Sequence, residues 1–287
     1  MSMQVRRLSH GLGASVTGIN LAKISDAQFK EIEAVWLEHQ VLAFHDQNLS
    51  PAEQIAFGRR FGELDRHDLI PFYRLPDYPE IFQITNLKIG GKVSETKDTG
   101  RLWHSDYQHT LRPARATLLY CKEIPPVGGD TMFTNMYMAY DTLSDALKRV
   151  LDQLEAVQDF QAFMDKYHKN RTQSEVAEMR KLNPPVAQPV VRVHPETGRK
   201  ALFVSEMQTT NFVGMSAEES AGLLQYLFRH SVLPEFTHRH KWTPGDLVIW
   251  DNRCTMHMAV PDYTHDQTRH MHRLTVLGTP CGRSLNA

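Results

Sequence analysis

Gly245-Asp246-Leu247-Val248-Ile249-Trp250 runs directly into Asp251-Asn252-Arg253-Cys254-Thr255-Met256-His257. The first part is a short apolar run opened by a turn residue, the pattern of a buried strand. A polar turn follows, and then a single imidazole. Strand, polar turn and histidine is a way to present a ligand at the mouth of a β-barrel. A lone histidine there is more often a structural group satisfied by its neighbours, so the rest of the chain has to decide.

Upstream, Trp103-His104-Ser105-Asp106 supplies what His257 lacks. Residues i and i+2 of an extended segment point to one side, so His104 and Asp106 can grip one ion while Ser105 faces away. Two histidines and one carboxylate form the facial triad of non-haem iron sites, which leaves three adjacent coordination positions open. Among 15 histidines an H-x-D pair alone is weak. Downstream, Arg269-His270-Met271-His272-Arg273 alternates, placing Arg269 and Arg273 on one face of an extended segment. Guanidiniums on a core-bound strand need anions to meet them. A dicarboxylate bound by a bidentate arginine would serve, and so would an internal salt bridge to one of the 33 acidic residues.

Outside the ligand-bearing region the spacing predicts a helix over Ser25 to Leu42, with Ser25 and Gln28 as a capping box and Phe29, Ile32, Val35 and Trp36 on one face. Ser50-Pro51-Ala52-Glu53 opens a second helix, with Gly62 just past its end. Thr117 to Cys121 and Thr131 to Phe133 read as strands around the turn Pro125-Pro126-Val127-Gly128-Gly129-Asp130. Asp141 to Phe163 reads as mostly helical. Asp165 to Leu182 is polar, either a mobile excursion over a site or a solvated surface helix. Pro189 to Val193 and Ala201 to Val204 flank the turn Pro195-Glu196-Thr197-Gly198 as a hairpin. Ser216 and Glu219 cap a further helix to Arg229, and His272 to Leu277 is a late strand. Strands dominate the region with the ligands and helices lie outside it. The order predicts an α+β protein, a jelly-roll core flanked by helices.

At 287 residues with 41% hydrophobic content, a single domain spanning 1–287 is the expectation. With 32 basic against 33 acidic residues, the formal charge of −1 gives no footprint for nucleic acid or an anionic membrane, which leaves small molecules as partners. No apolar leader or stretch of about 20 residues suggests export or a membrane span. Cys121, Cys254 and Cys281 lack C-x-x-C spacing, so neither a disulfide framework nor a zinc ribbon is indicated, and a cytoplasmic protein is expected.

The ordered set Trp103 to Asp106, Pro125 to Thr131, Trp250 to Arg253 with His257, Arg269 and Arg273 resembles the Fe(II)/2-oxoglutarate-dependent taurine and 2,4-dichlorophenoxyacetate dioxygenase family. Phe61-Gly62-Glu63-Leu64, Asn183-Pro184-Pro185 and His194 to Gly198 extend the resemblance over nearly the whole chain. It implies a double-stranded β-helix, Fe(II) held by His104, Asp106 and His257, and 2-oxoglutarate and O2 as cosubstrates. Arg269 and Thr131 would contact the distal carboxylate of 2-oxoglutarate. Arg273 and His67 would face the anionic group of a small organic acid, such as an alkylsulfonate or an aryloxyalkanoate, which would be hydroxylated with release of succinate and CO2. A homo-oligomer, dimer or tetramer, is also implied. One position departs from the taurine enzymes, where an asparagine stands in place of Gly100. The residues alone leave two rivals. One is a zinc-type metallohydrolase, which lacks an H-E-x-x-H base here, and the other is a non-catalytic module binding a small anion.

Overall fold

A computed structural model describes residues 3–68, 70–94, 96, 100–161, 172–264 and 266–285. The two N-terminal capping boxes form as the spacing predicts. Ser25 and Gln28 exchange side-chain and backbone hydrogen bonds at the start of helix Asp26–His39, and Ser50 and Glu53 do the same for helix Pro51–Arg59. Phe29, Ile32 and Trp36 form the buried stripe of the first helix. Phe61, just past the second, meets Phe29, Trp36 and Phe57 edge-on at 4.9, 5.4 and 5.4 Å.

The first helix stops short of Leu42. Gln40 turns into the left-handed region at φ 63° and donates its N–H to Trp36, and Val41–Phe44 is a strand buried along its length. That strand pairs parallel with Ala14–Thr17 and antiparallel with Leu247–Asp251. A central strand buried on both faces carries a continuous apolar run that periodicity cannot separate from a helix end.

The major sheet has eight strands, in the spatial order Gln4–Arg7, Ala14–Thr17, Val41–Phe44, Leu247–Asp251, Ala114–Glu123, His270–Leu277, Tyr78–Thr85 and Arg74–Leu75. Strand alternation divides its side chains between two layers. Leu118, Tyr120, Leu247, Ile249, Leu274 and Val276 pack under the two helices. Leu119, Cys121, Val248, Trp250 and Met271 face the other way and share a core with Phe133 of a three-stranded sheet, Thr237–His240, Thr131–Asn135 and Thr255–Ala259. The space between these sheets is where the ligand-bearing residues meet. Each fully buried leucine or isoleucine in the layers contributes about 1.5–3 kcal/mol of transfer free energy.

Of Asp141 to Phe163, the described residues 141–161 are not mostly helical. Helices Met136–Asp141 and Asp145–Leu151 are followed by strand Glu155–Gln158, which pairs with Val186–Pro189 and Thr209–Phe212. Its burial alternates, with Ala156 and Gln158 inside, a period too short to outweigh the helical pattern before it. Of the polar stretch Asp165 to Leu182, residues 165–171 lie outside the described residues, and Gln173–Leu182 is a helix with exposed positions along it. The hairpin Val191–Val193 with Lys200–Leu202 and the helix Ala217–His230, capped by Ser216 and Glu219, form as expected. All three cysteines are free, and among the described residues no helix is long and apolar enough to cross a membrane.

Candidate active site

His104 does not sit on a regular strand. An isolated bridge joins it to His257: the N–H of His104 donates to the His257 carbonyl at 3.1 Å, and the N–H of His257 donates back at 2.8 Å. The chain then turns, with Tyr107 at φ 57°, to enter the strand Ala114–Glu123. Asp106 is held in this turn by its backbone N–H, which donates to Asn252 Oδ1 at 3.1 Å, and by its carbonyl, which accepts from Ala114. The shared direction of His104 and Asp106 therefore comes from a bridge followed by a fixed turn, not from a strand pleat.

Three buried ligand atoms of His104, Asp106 and His257 lie within 4.8 Å of one another. The two imidazole rings are 4.2 Å apart, and each Nε2 is 3.8 Å from one oxygen of Asp106. These separations are too long for hydrogen bonds, so the three groups converge without satisfying one another. His104 Nδ1 donates to the Leu102 carbonyl at 2.7 Å, which leaves its Nε2 with a free lone pair. Burial lowers the pKa of both histidines, that of His257 to about 3, so both are neutral. Burial acts to raise the Asp106 carboxyl, but His257 once protonated in acid, then Arg273 and a likewise protonated His104, with a bond from Thr117, hold it at about 2. Two neutral imidazoles and one carboxylate are the donor set of a divalent first-row metal with open positions.

Behind the carboxylate lies a network for which no site role was assigned from the sequence. Thr117 Oγ1 donates to Asp106 Oδ2 at 2.6 Å, Asn252 Nδ2 donates to Thr117 at 2.9 Å, and Trp250 Nε1 donates to Asn252 Oδ1 at 3.1 Å. The signal was a hydroxyl inside the apolar run Ala116 to Cys121, since a buried polar atom in a strand needs a partner.

A second cluster of His194, Asp251 and Cys254 has comparable spacing but no vacancy. His194 Nε2 donates to Asp251 at 3.0 Å, and its Nδ1 accepts the N–H groups of Glu196 and Thr197. Asp251 also takes two bonds from the Arg253 guanidinium and one from its backbone N–H, and burial raises the Cys254 thiol well above 9. This cluster is an internal brace.

Arg269 and Arg273 share a face, as the alternation predicts, but serve different places. Arg269 is buried, its Nε donates to the Gly129 carbonyl at 3.0 Å, and among the described residues no carboxylate lies within ion-pair distance of it. The described residues therefore offer no internal salt bridge to explain it. Thr131 stands two residues beyond Gly129 and accepts from Trp242 Nε1 at 3.0 Å. Arg273 Nη1 lies 3.7 Å from Asp106 Oδ1, and its guanidinium covers the Phe82 ring at 4.7 Å. His67 packs on the same ring at 5.1 Å. Its side chain is fully enclosed: Nδ1 lies 3.0 Å from Asp65 Oδ2 and 3.3 Å from the Tyr107 hydroxyl. Arg273, His67 and Phe82 thus cluster on the Asp106 side of the triad, and Thr131 pairs with Ala259, two residues beyond His257. Gly100, at φ 75°, lies against the triad, where an added Cβ would be 3.3 Å from His104 Cε1.

The family described as taurine catabolism dioxygenase TauD, TfdA family matches residues 4–275. The chain is 32% identical to the (S)-phenoxypropionate/alpha-ketoglutarate-dioxygenase of Sphingobium herbicidovorans, over 99% of this chain and 98% of the relative. It is 35% identical to the alpha-ketoglutarate-dependent 2,4-dichlorophenoxyacetate dioxygenase of Cupriavidus pinatubonensis, over 96% and 98%. The crystal structure of AAD-2 in complex with Mn(II) and N-oxalylglycine superposes with a TM-score of 0.84 at 32% identity, covering 98% of each chain.

Proposed function

We propose a function for a chain that belongs to the taurine catabolism dioxygenase TauD, TfdA family and is, on that footing, an Fe(II)- and 2-oxoglutarate-dependent dioxygenase acting on a small anionic substrate. The observation that carries the proposal is the pairing of a converged His104, Asp106 and His257 with a buried Arg269 that meets no carboxylate among the described residues. A hydrolase would use the first feature and leave the second without purpose.

His104 and His257 would hold Fe(II) through their Nε2 atoms and Asp106 through one carboxylate oxygen. Bound there, Fe(II) supplies the redox chemistry that couples decarboxylation of 2-oxoglutarate by O2 to hydroxylation of the substrate, with release of succinate and CO2. Asp106 occupies its position as a full ligand, which favours hydroxylation. Thr117 keeps that carboxylate in one orientation. Arg269 would meet the distal carboxylate of 2-oxoglutarate through its guanidinium fork, with Thr131 donating its hydroxyl to the same group. Arg273 would meet the anionic group of the substrate, with His67 at the same Phe82 ring. Burial of these groups strengthens each ionic contact by excluding water.

The two facing sheets support a double-stranded β-helix. The sheet shared by Gln4–Arg7 and His270–Leu277 supports one domain over the chain. A cytoplasmic homo-oligomer remains part of the proposal. The named substrates of the two relatives make aryloxyalkanoates, beside alkylsulfonates, the acids to try first. The test is a panel of such acids assayed for substrate-dependent succinate formation in the presence of iron and 2-oxoglutarate. Stimulation by at least one small acid is expected. No stimulation by any acid, with 2-oxoglutarate turnover also absent, would overturn the proposal.

A further inference from the structure

We propose that Trp242 is a positioning residue for the cosubstrate, its indole N–H fixing the Thr131 hydroxyl so that the hydroxyl proton is presented to the distal carboxylate of 2-oxoglutarate. The inference rests on the reading of Thr131 and Arg269 given above.

Trp242 lies in the turn between strands Thr237–His240 and Leu247–Asp251, and its buried Nε1 donates to buried Thr131 Oγ1 at 3.0 Å. An indole N–H only donates, whereas a hydroxyl has one proton to give and two lone pairs. The bond therefore occupies a lone pair of Thr131 and cannot take its proton. Among the described residues the Thr131 hydroxyl donates to no acceptor, so its proton awaits one from outside. A carboxylate is acceptor-only and fits. A group that donates at that point is disfavoured, because one of the lone pairs it needs is already used.

The turn that carries Trp242 is held rigidly. His240 pairs with Thr131 in the strand register and packs edge-on against the Trp242 ring at 4.6 Å. Asp246 closes the turn by accepting the Thr243 N–H at 2.9 Å and bridging His240 at 3.2 Å to His45 at 2.7 Å. The indole also packs in the apolar layer that contains Met271, between Arg269 and Arg273 in the strand order. Hydroxyl and guanidinium are then set by one structure: Gly129, which holds Arg269, and Thr131, which is held by Trp242, are two residues apart.

The test is anaerobic calorimetric titration of 2-oxoglutarate into Fe(II)-loaded wild type, Trp242→Phe, Thr131→Val and the double variant. Trp242→Leu is measured alongside in case the phenylalanine variant fails to fold. The Trp242 variant should bind 2-oxoglutarate about fivefold more weakly, the effect of one ordinary hydrogen bond. The apparent KM for 2-oxoglutarate should rise by a similar factor, and kcat should fall by less. The double variant should be no weaker than Thr131→Val alone, since the indole acts through that hydroxyl. Unchanged affinity in a folded Trp242 variant while Thr131→Val is impaired would overturn the inference, as would full additivity in the double variant. Unchanged affinity in Thr131→Val would instead overturn the reading of Thr131 itself.

Discussion

The hydroxyl of Thr117 donates to Asp106 Oδ2 at 2.6 Å while its Oγ1 accepts from Asn252 Nδ2 at 2.9 Å, so the carboxylate of the triad is aimed by a side chain from the next strand. Both groups are buried, and neither has water to replace a lost bond. Thr117→Val should cost about 10–100-fold in metal affinity, the usual effect of losing a partner behind a metal ligand. Anaerobic titration with Fe(II) or Mn(II) measures it. Metal affinity equal to wild type would show that Asp106 is oriented without Thr117.

Arg269 is the cosubstrate anchor in this account. Removing one partner of a desolvated charge pair costs about 2–5 kcal/mol, so Arg269→Ala should weaken 2-oxoglutarate binding accordingly. Arg269→Lys should restore only part of the loss, because the guanidinium fork is gone. If 2-oxoglutarate affinity is unaffected in a folded Arg269→Ala protein, the anchor lies elsewhere, with Arg273 the next to examine.

The capping boxes and the H-x-D pair were legible in the sequence because both depend on short spacings, whereas His257 joined the pair through the family resemblance. Ser25 with Gln28, and His104 with Asp106, can be read without knowing the fold. Val41–Phe44 and Glu155–Gln158 were not legible, because they are strands only by virtue of partners far along the chain. The same reason hid the site roles of Asn252 and Trp242. Each is an ordinary polar or aromatic residue until the sheets place it against Thr117 or Thr131.

Two histidines bracket Asp246, and this predicts a pH-dependent stability. The bond to Asp246 raises the His45 imidazole above 6.5 against the opposing effect of burial, with Asp46 adding to the shift and Arg6 opposing it; His240 stacks beside it. A raised pKa stabilises the fold fully below the unfolded value and loses that contribution as pH climbs through the folded one. Asp246, held at about 2 although burial acts to raise it, contributes above its ordinary 3.8 and is lost in acid. The pair therefore stabilises most between these limits. His45→Ala should destabilise the fold more at about pH 5 than at about pH 8.5, by about 0.5 kcal/mol because solvent reaches the ring, and thermal unfolding at the two pH values measures it. An equal loss at both values would remove the ion pair as the cause.

Gly100 has no side chain at the position where the resemblance places asparagine in the taurine enzymes, and a Cβ there would crowd His104 Cε1 at 3.3 Å. Larger acids should accordingly be turned over better than taurine, and Gly100→Asn should reduce that advantage, since asparagine tolerates positive φ but must press on His104. Arg273→Ala should harm use of the preferred acid more than it harms 2-oxoglutarate binding. Measuring both apparent affinities in one variant decides the point: an equal or larger loss for 2-oxoglutarate would make Arg273 part of the cosubstrate site.

The central claim is that His104, Asp106 and His257 hold the iron that turns over 2-oxoglutarate. Its most direct test is succinate formation from 2-oxoglutarate by wild type and His257→Ala, each with and without Fe(II), together with the iron bound per chain. Wild type should bind one iron and require both metal and O2, while His257→Ala should form no succinate above background and bind iron far more weakly. Full activity in His257→Ala, or wild-type turnover that persists after iron is removed, would contradict the account.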